Sequence, residues 1–275
     1  PSWNSGTPRY LYGEAWKAAY VKGAYKKYEE AFNDKRAFAH KARDIVHREL
    51  DSRLGLLAQS IKADGERVVV YNALPWKRSG LVEIPGQSGR FLFASEVPAG
   101  GYQTYRVDQA EQAKPLVQDP PTALETPFFK VRFDLKRGGI ASLVDKQTGR
   151  ELVDQSSPYA LGQFLHERFD KQQMAAFHKA YGRPGYSWPK GDLPTNAKSA
   201  ALTPPAWTIS LQRSAVADIA TLTATDTLGL AKGMAIVISL PRRQAYVDVE
   251  WRVTDKTPDP LPEGGWLCFP FAVDQ

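Results

Sequence analysis

The sequence predicts a mainly β protein that opens with a helical pair and closes in a large antiparallel sandwich, and three observations carry that expectation. The 275 residues are 43% hydrophobic, enough apolar material for one large or several smaller cores. Up to about residue 64 the apolar residues recur at helical spacing, and beyond Gly65 the pattern changes to short β-rich runs separated by Gly- and Pro-containing turns. Many strands with almost no helix between them argue for stacked antiparallel sheets.

The first helix is expected from Tyr10 to about Glu30, where Leu11, Ala15, Ala18, Ala19, Tyr25 and Tyr28 share a stripe, with Asn33 and Asp34 as punctuation. A second should run from Lys35 to Ala63. There Phe38, Ala42, Ile45, Val46, Leu50, Leu54, Leu57 and Ile61 keep to one face, and Asp64 and Gly65 stop it. These helices make up a domain over 1–64. Two such stripes cannot bury each other completely, so a third surface is implied.

Residues 65–108 form a small β-domain, with strands at Arg67–Tyr71, Gly80–Ile84, Arg90–Ala94 and Tyr102–Val107. The polar, proline-containing stretch 109–127 is expected to be a linker. The large sandwich, 128–275, begins with Phe128–Asp134, the turn at Lys136–Gly139, Ile140–Val144 and Glu151–Val153. It resumes at Trp207–Gln212, Ile219–Asp226, Met234–Ser239 and Tyr246–Thr254. Between these blocks, 163–196 is an insertion with a short helix at Lys171–Tyr181 followed by the aromatic, proline-rich run GRPGYSWPKGDLP. Long insertions on rigid scaffolds are where binding residues concentrate.

That insertion opens on His166-Glu167-Arg168-Phe169-Asp170. An imidazole, two carboxylates and a guanidinium within five residues can hydrogen-bond sugar hydroxyls, and Tyr186 and Trp188 can stack on a pyranose face. His166, Glu167, Arg168, Asp170, Tyr186 and Trp188 are therefore candidate sugar-binding residues. The competing reading is a structural ion-pair cluster that ties the insertion down. Trp76 and Trp266 lie among apolar neighbours and are expected to be core anchors.

Other chemistries find little support. His166 begins a stretch like the HExxH zinc motif, but Asp170 stands where its second histidine is required. His40 and His47 lie two helical turns apart, about 10 Å by helix rise, without a completing ligand set. The single cysteine, Cys268, excludes an internal disulfide framework. The charge of +6 is mild and falls on no recognisable nucleic-acid module, and no run is long and apolar enough for a membrane helix. No nucleophile elbow or phosphate-binding loop is present, and no catalytic residue is assigned. The chain begins at Pro1 and its only methionines are Met174 and Met234, so it is expected to be a piece of a longer protein.

Three phrases then stand out: VVVYNALPWKRSGLVEIP at 68–85, FFKVRFDLKRGGIASLVDKQTGRELVD at 128–154, and LPEGGWLCFPF at 261–271. In this order, after a helical segment, they resemble the central and C-terminal regions of family 38 glycoside hydrolases, the α-mannosidases, and most of all an uncharacterised bacterial branch of that family. The resemblance covers about residues 10–275. It implies part of a helical bundle, a small β-domain and a galactose-mutarotase-like supersandwich. It also implies that the retaining, zinc-dependent catalytic domain precedes this region, so that no zinc ligand or nucleophile maps onto these residues and this region supports and rims the catalytic domain of the same protein. Carbohydrate would be the ligand, neither nucleic acid nor membrane a partner, and a periplasmic or extracellular location would follow if the parent is secreted. Two other readings stay open: a carbohydrate-binding module without catalysis, and a structural interaction domain with an exposed patch at Leu11, Ala15 and Phe38.

Overall fold

The computed structural model describes residues 13–118, 121–169, 171–183, 186–189, 201–257 and 263–273. The chain is mainly β, with N-terminal helix and several antiparallel sheets. It divides into two compact units, one comprising 1–50, 165–202 and 258–266, the other 51–164, 203–257 and 267–275.

Helix α1 spans Gly13–Val21 and α2 spans Lys26–Ser60. The break therefore comes at Lys22–Tyr25 and not at Asn33–Asp34. Gly23 adopts φ +75°, its N–H donates to Tyr20 O at 2.8 Å, and the Ala24 N–H donates to Ala19 O at 3.0 Å. This is a Schellman cap, which satisfies carbonyls at the helix end and requires a left-handed residue that glycine supplies without steric cost. Asn33 and Asp34 cost a helix interior only about 0.6 kcal/mol each, too little to stop it, and Arg36 Nη2 donates to Asn33 Oδ1 at 2.9 Å. The resulting helix of 35 residues is roughly 52 Å long. None of its described side chains is buried, and Phe32, Phe38, Val46 and Leu56 all stay largely exposed.

The next strands follow the expected period. β1 (Arg67–Asn72) pairs antiparallel with β4 (Gly101–Arg106), and β2 (Arg78–Glu83) with β3 (Arg90–Val97). Ile84, Leu92, Ala94, Val97 and Ala110 form their core, covered by Val68, Val70, Val82 and Tyr105. The stretch 109–127 is more structured than a linker. It contributes β5 (Glu111–Gln112), paired with β3, then β6 (Lys114–Pro115), and β7 (Ala123–Glu125).

The larger core lies between two sheets. One is β7, β8 (Phe129–Asp134) and β9 (Gly139–Asp145). After β9 come β10 (Phe164–Arg168), α3 (Lys171–Tyr181), β11 (Gly182–Arg183), β12 (Tyr186–Pro189) and β13 (Ala201–Leu202). The second sheet has the order β17 (Asp248–Lys256), β16 (Ala231–Pro241), β15 (Ala217–Ala224), β14 (Trp207–Arg213), β6. Alternation along β8 buries Phe129, Val131 and Phe133 and exposes Lys130 and Arg132. These side chains meet Trp207, Leu211, Leu222, Ile236 and Ile238 from the second sheet. Glu151 and Val153, expected as a strand, make only isolated bridges, to Val144 and Phe271.

The β8–β9 hairpin shows why its glycines are there. Gly138 has φ +70°, and a Cβ on it would lie 2.2 Å from the Trp207 ring; Gly139 keeps an ordinary φ, but a Cβ there would lie 2.7 Å from Leu161 O. The first glycine thus serves conformation and space, the second space alone. Asp134 caps the turn, its Oδ1 accepting from the N–H groups of Lys136 and Arg137 at 2.9 and 2.8 Å. Gly138→Ala should cost about 3 kcal/mol or more through combined overpacking and backbone strain. Denaturant unfolding measures this, and a loss within 0.5 kcal/mol of zero, the range roughly expected of a surface change, contradicts it.

Glu151 buttresses the same sheet. Its carboxylate accepts from Ser142 Oγ at 2.5 Å, Leu143 N at 2.8 Å and Val153 N at 2.9 Å. Burial by itself raises the carboxyl's affinity for protons, but these hydrogen bonds to the charged form outweigh it, and the group sits below its ordinary 4.5. A depressed folded value stabilises the fold above the unfolded value, and the contribution disappears as pH falls through the folded one. The unfolding midpoint of the wild-type chain should therefore drop more steeply than that of Glu151→Gln between about pH 5 and about pH 3. Equal slopes in chemical denaturation at those two pH values count against this role.

Candidate functional site

The HERFD segment, expected at the entrance to the insertion, begins in a strand. Its first three residues belong to β10, the central strand of a sheet ordered β13, β10, β18, where β18 is Glu263–Leu267. His166 and Glu167 stand opposite Leu202 and Ala201 of β13. Successive residues of a strand face opposite sides, so His166 and Glu167 project to different faces.

His166 is 2% exposed. Its Nε2 lies 2.8 Å from Oε2 of Glu263, a carboxylate supplied by β18. Glu167 uses Oε2 to accept from the indole N–H of Trp266, also on β18, at 2.8 Å. The sheet thus joins two polar side chains of β10 to two residues that lie about a hundred positions away in the chain. Arg168 is exposed at the end of β10. Asp170 lies outside the described residues. Tyr186 and Trp188 fall on β12, which pairs with β11 beside α3, and their side chains lie outside the description.

The outcome for the cluster is therefore specific. His166 and Glu167 are brought together with Glu263 and Trp266, partners that reading along the chain did not find. The only sequence signal was the phrase Pro262-Glu263-Gly264-Gly265-Trp266, where a carboxylate and an aromatic stand three residues apart. Trp266, expected as a core anchor, is 56% exposed, and Trp76, also expected in the core, is 59% exposed. Apolar sequence neighbours were misleading in both cases because side chains alternate across a strand, and a turn can lift a residue clear of the sheet it connects.

Chemically, the arrangement is a buried imidazole–carboxylate pair on one side and an exposed indole with a carboxylate on its N–H on the other. Each bound carboxylate keeps further acceptor capacity, since an ionised carboxyl has about four lone-pair sites. The lone thiol is a poor nucleophile. Burial raises the Cys268 pKa above its ordinary 9.0, which keeps it protonated at neutral pH. Among the described residues, no group of three or more His, Cys, Asp or Glu is placed to hold a metal ion. His40 and His47 are both exposed on α2.

No family model and no curated protein matches this chain. Its function is therefore argued from its own residues. Glu263→Ala should remove the acceptor from a buried imidazole and cost about 1–3 kcal/mol in denaturant unfolding. Glu167→Ala, whose partner is exposed, should cost well under half as much. Equal losses would show that the two pairs are energetically equivalent, contrary to their burial.

Proposed function

We propose that this chain is the non-catalytic helical and β-sandwich region of a glycoside hydrolase resembling the α-mannosidases. The observation that carries the reading is where the three shared phrases fall. Residues 68–85 make up β1, the turn held by Asn72, and β2; residues 128–154 contain the β8–β9 hairpin; residues 261–271 contain β18. Each phrase supplies a turn or a strand, which is what a conserved scaffold would keep.

In this reading the two-sheet core belongs to a galactose-mutarotase-like supersandwich, and zinc and the nucleophile belong to a catalytic domain outside these 275 residues. The parent protein would cleave α-mannosidic or related bonds, in the periplasm or outside the cell if it is secreted. The described residues would bind, position and exclude water at the rim, with no proton transfer assigned to any of them. A second reading, a carbohydrate-binding module without catalysis, is favoured by one observation: the exposed Trp266 ring carries the Glu167 carboxylate on its N–H. An aromatic face beside an oriented acceptor is the usual combination at small-molecule sites.

An antibody raised against the chain should recover, from its native source, a protein that hydrolyses an aryl α-mannoside and loses that activity to a chelator. The purified 275-residue chain should show no turnover with or without zinc. Turnover by the chain alone, or a native protein inert on all aryl glycosides, overturns the hydrolase reading.

A further inference from the structure

We propose that a cleft in the small β region, walled by Trp76 and Tyr71 and edged by Arg78, Gln244 and Asp248, is a binding site for a neutral hexopyranose. The proposal goes beyond the hydrolase reading, because it uses residues of 70–97 and 244–248 only and needs no catalytic domain. The cleft holds about 820 Å³, within the range of roughly 300–1,000 Å³ typical of small-molecule sites. Its lining combines two exposed aromatic rings, Trp76 at 59% and Tyr71 at 44%, with a guanidinium, a carboxamide and a carboxylate. A pyranose has this same division: an apolar face of C–H groups and a rim of hydroxyls that both donate and accept.

The turn that presents Trp76 is held rigid from beneath. Asn72 is buried, and its Nδ2 donates to the carbonyls of Trp76 at 2.7 Å and of Val97 and Pro98 at 3.1 Å, while its Oδ1 accepts from Leu74 N at 3.1 Å. One buried carboxamide thus bonds four backbone groups and holds the backbone of the turn that carries Trp76, so little backbone ordering remains to be done on binding. The opposite wall is also built. The Tyr246 hydroxyl accepts from Leu81 N at 3.0 Å, so a side chain caps the outer edge of β2, the end strand of its sheet.

Backbone irregularity converges on the same rim. The β2–β3 register shifts between Arg78 and Gly80, where Ser79 opposes both Ser95 and Glu96, and within this bulge Glu96 takes φ +52°, its N–H donating to Ser79 Oγ at 2.9 Å. Bulges re-aim side chains, and left-handed non-glycine residues persist where the surroundings over-determine them. The charge balance selects a neutral ligand over an anionic one. Lys77 is paired to Glu96 at 3.3 Å, and the Arg78 guanidinium shares the rim with the Asp248 carboxylate.

The test is titration of the full chain with methyl α-mannopyranoside, methyl α-glucopyranoside and methyl β-galactopyranoside, following tryptophan emission. At least one should give a saturable change with a dissociation constant on the order of 1 mM. Trp76→Ala should abolish it and Asp248→Asn should weaken it by roughly tenfold. Circular dichroism confirms that each variant is folded; should Trp76→Ala unfold, the Trp76 indole N–H resonance of the wild-type chain must shift with sugar. No saturation with any of the three hexosides, a signal that survives in folded Trp76→Ala, or binding of a proline-rich peptide in their place overturns the proposal. A negative glycosidase assay bears only on the hydrolase reading and leaves this test as it stands.

Discussion

A single buried carboxylate holds the larger core in register. Asp218, with no exposed surface, sits at the start of β15 and accepts from Arg213 Nε on β14 and from Arg242 Nη1, just past β16, at 2.7 Å. Arg213 also donates through Nη2 to the carbonyl of Glu125 on β7, in the facing sheet, at 2.8 Å. One charge therefore links three neighbouring strands to the opposite layer. A buried ion pair of this kind adds little net stability over apolar packing, but removal of one partner leaves an uncompensated charge that costs several kcal/mol. Its consequence is specificity. A slip of one residue in β15 would carry Asp218 to the other face and Ala220 and Leu222 out of the core, so electrostatics and hydrophobic alternation reject the same errors.

With that register fixed, the surrounding elements need only local devices. Ser214 closes the β14–β15 connection, its Oγ accepting from Val216 N and Ala217 N at 3.3 and 3.1 Å. Asp134 does the same for β8–β9, where the hairpin brings Gly138 against the Trp207 ring. Asn72 serves the smaller β region in an analogous way, as a buried polar group paired to backbone. In all three cases a short side chain satisfies backbone groups that the turn removes from the ladder, which is how irregular backbone is tolerated next to a core.

Helix α2 poses the opposite situation. Its apolar stripe was expected to need a covering surface, and Phe38, Ile45, Val46 and Leu50 instead remain exposed. Near its C-terminal end, Leu54 and Ala58 do line a small cleft with Val68, Ile84 and Val107 of the β region. A helix of this length, with polar residues on its other faces, can persist on propensity and side-chain pairs where tertiary packing is sparse.

Much of the fold was legible from residue order alone. The strands β1–β4, β8, β9 and β14–β17, the helix at Lys171–Tyr181 and the glycine turn at 138–139 follow from periodicity and φ preference, which are local properties. The break between α1 and α2 was also local, since Gly23 marks it, but Asn33 and Asp34 offered a competing signal that a long helix can absorb. The candidate site was only half legible. His166 and Glu167 could be picked out as chemically dense, but their partners Glu263 and Trp266 arrive from β18, and no local rule reveals which distant strand will lie beside β10. The same holds for Trp76, whose exposure depends on how Asn72 folds the turn over Val97 and Pro98. The sequence by itself determined which segments would be helix, strand or turn, because backbone conformation and hydrophobic period are set within a few residues. Only the tertiary structure decided which charges are paired and which aromatic rings face outward, because burial is a property of neighbours brought together across the chain.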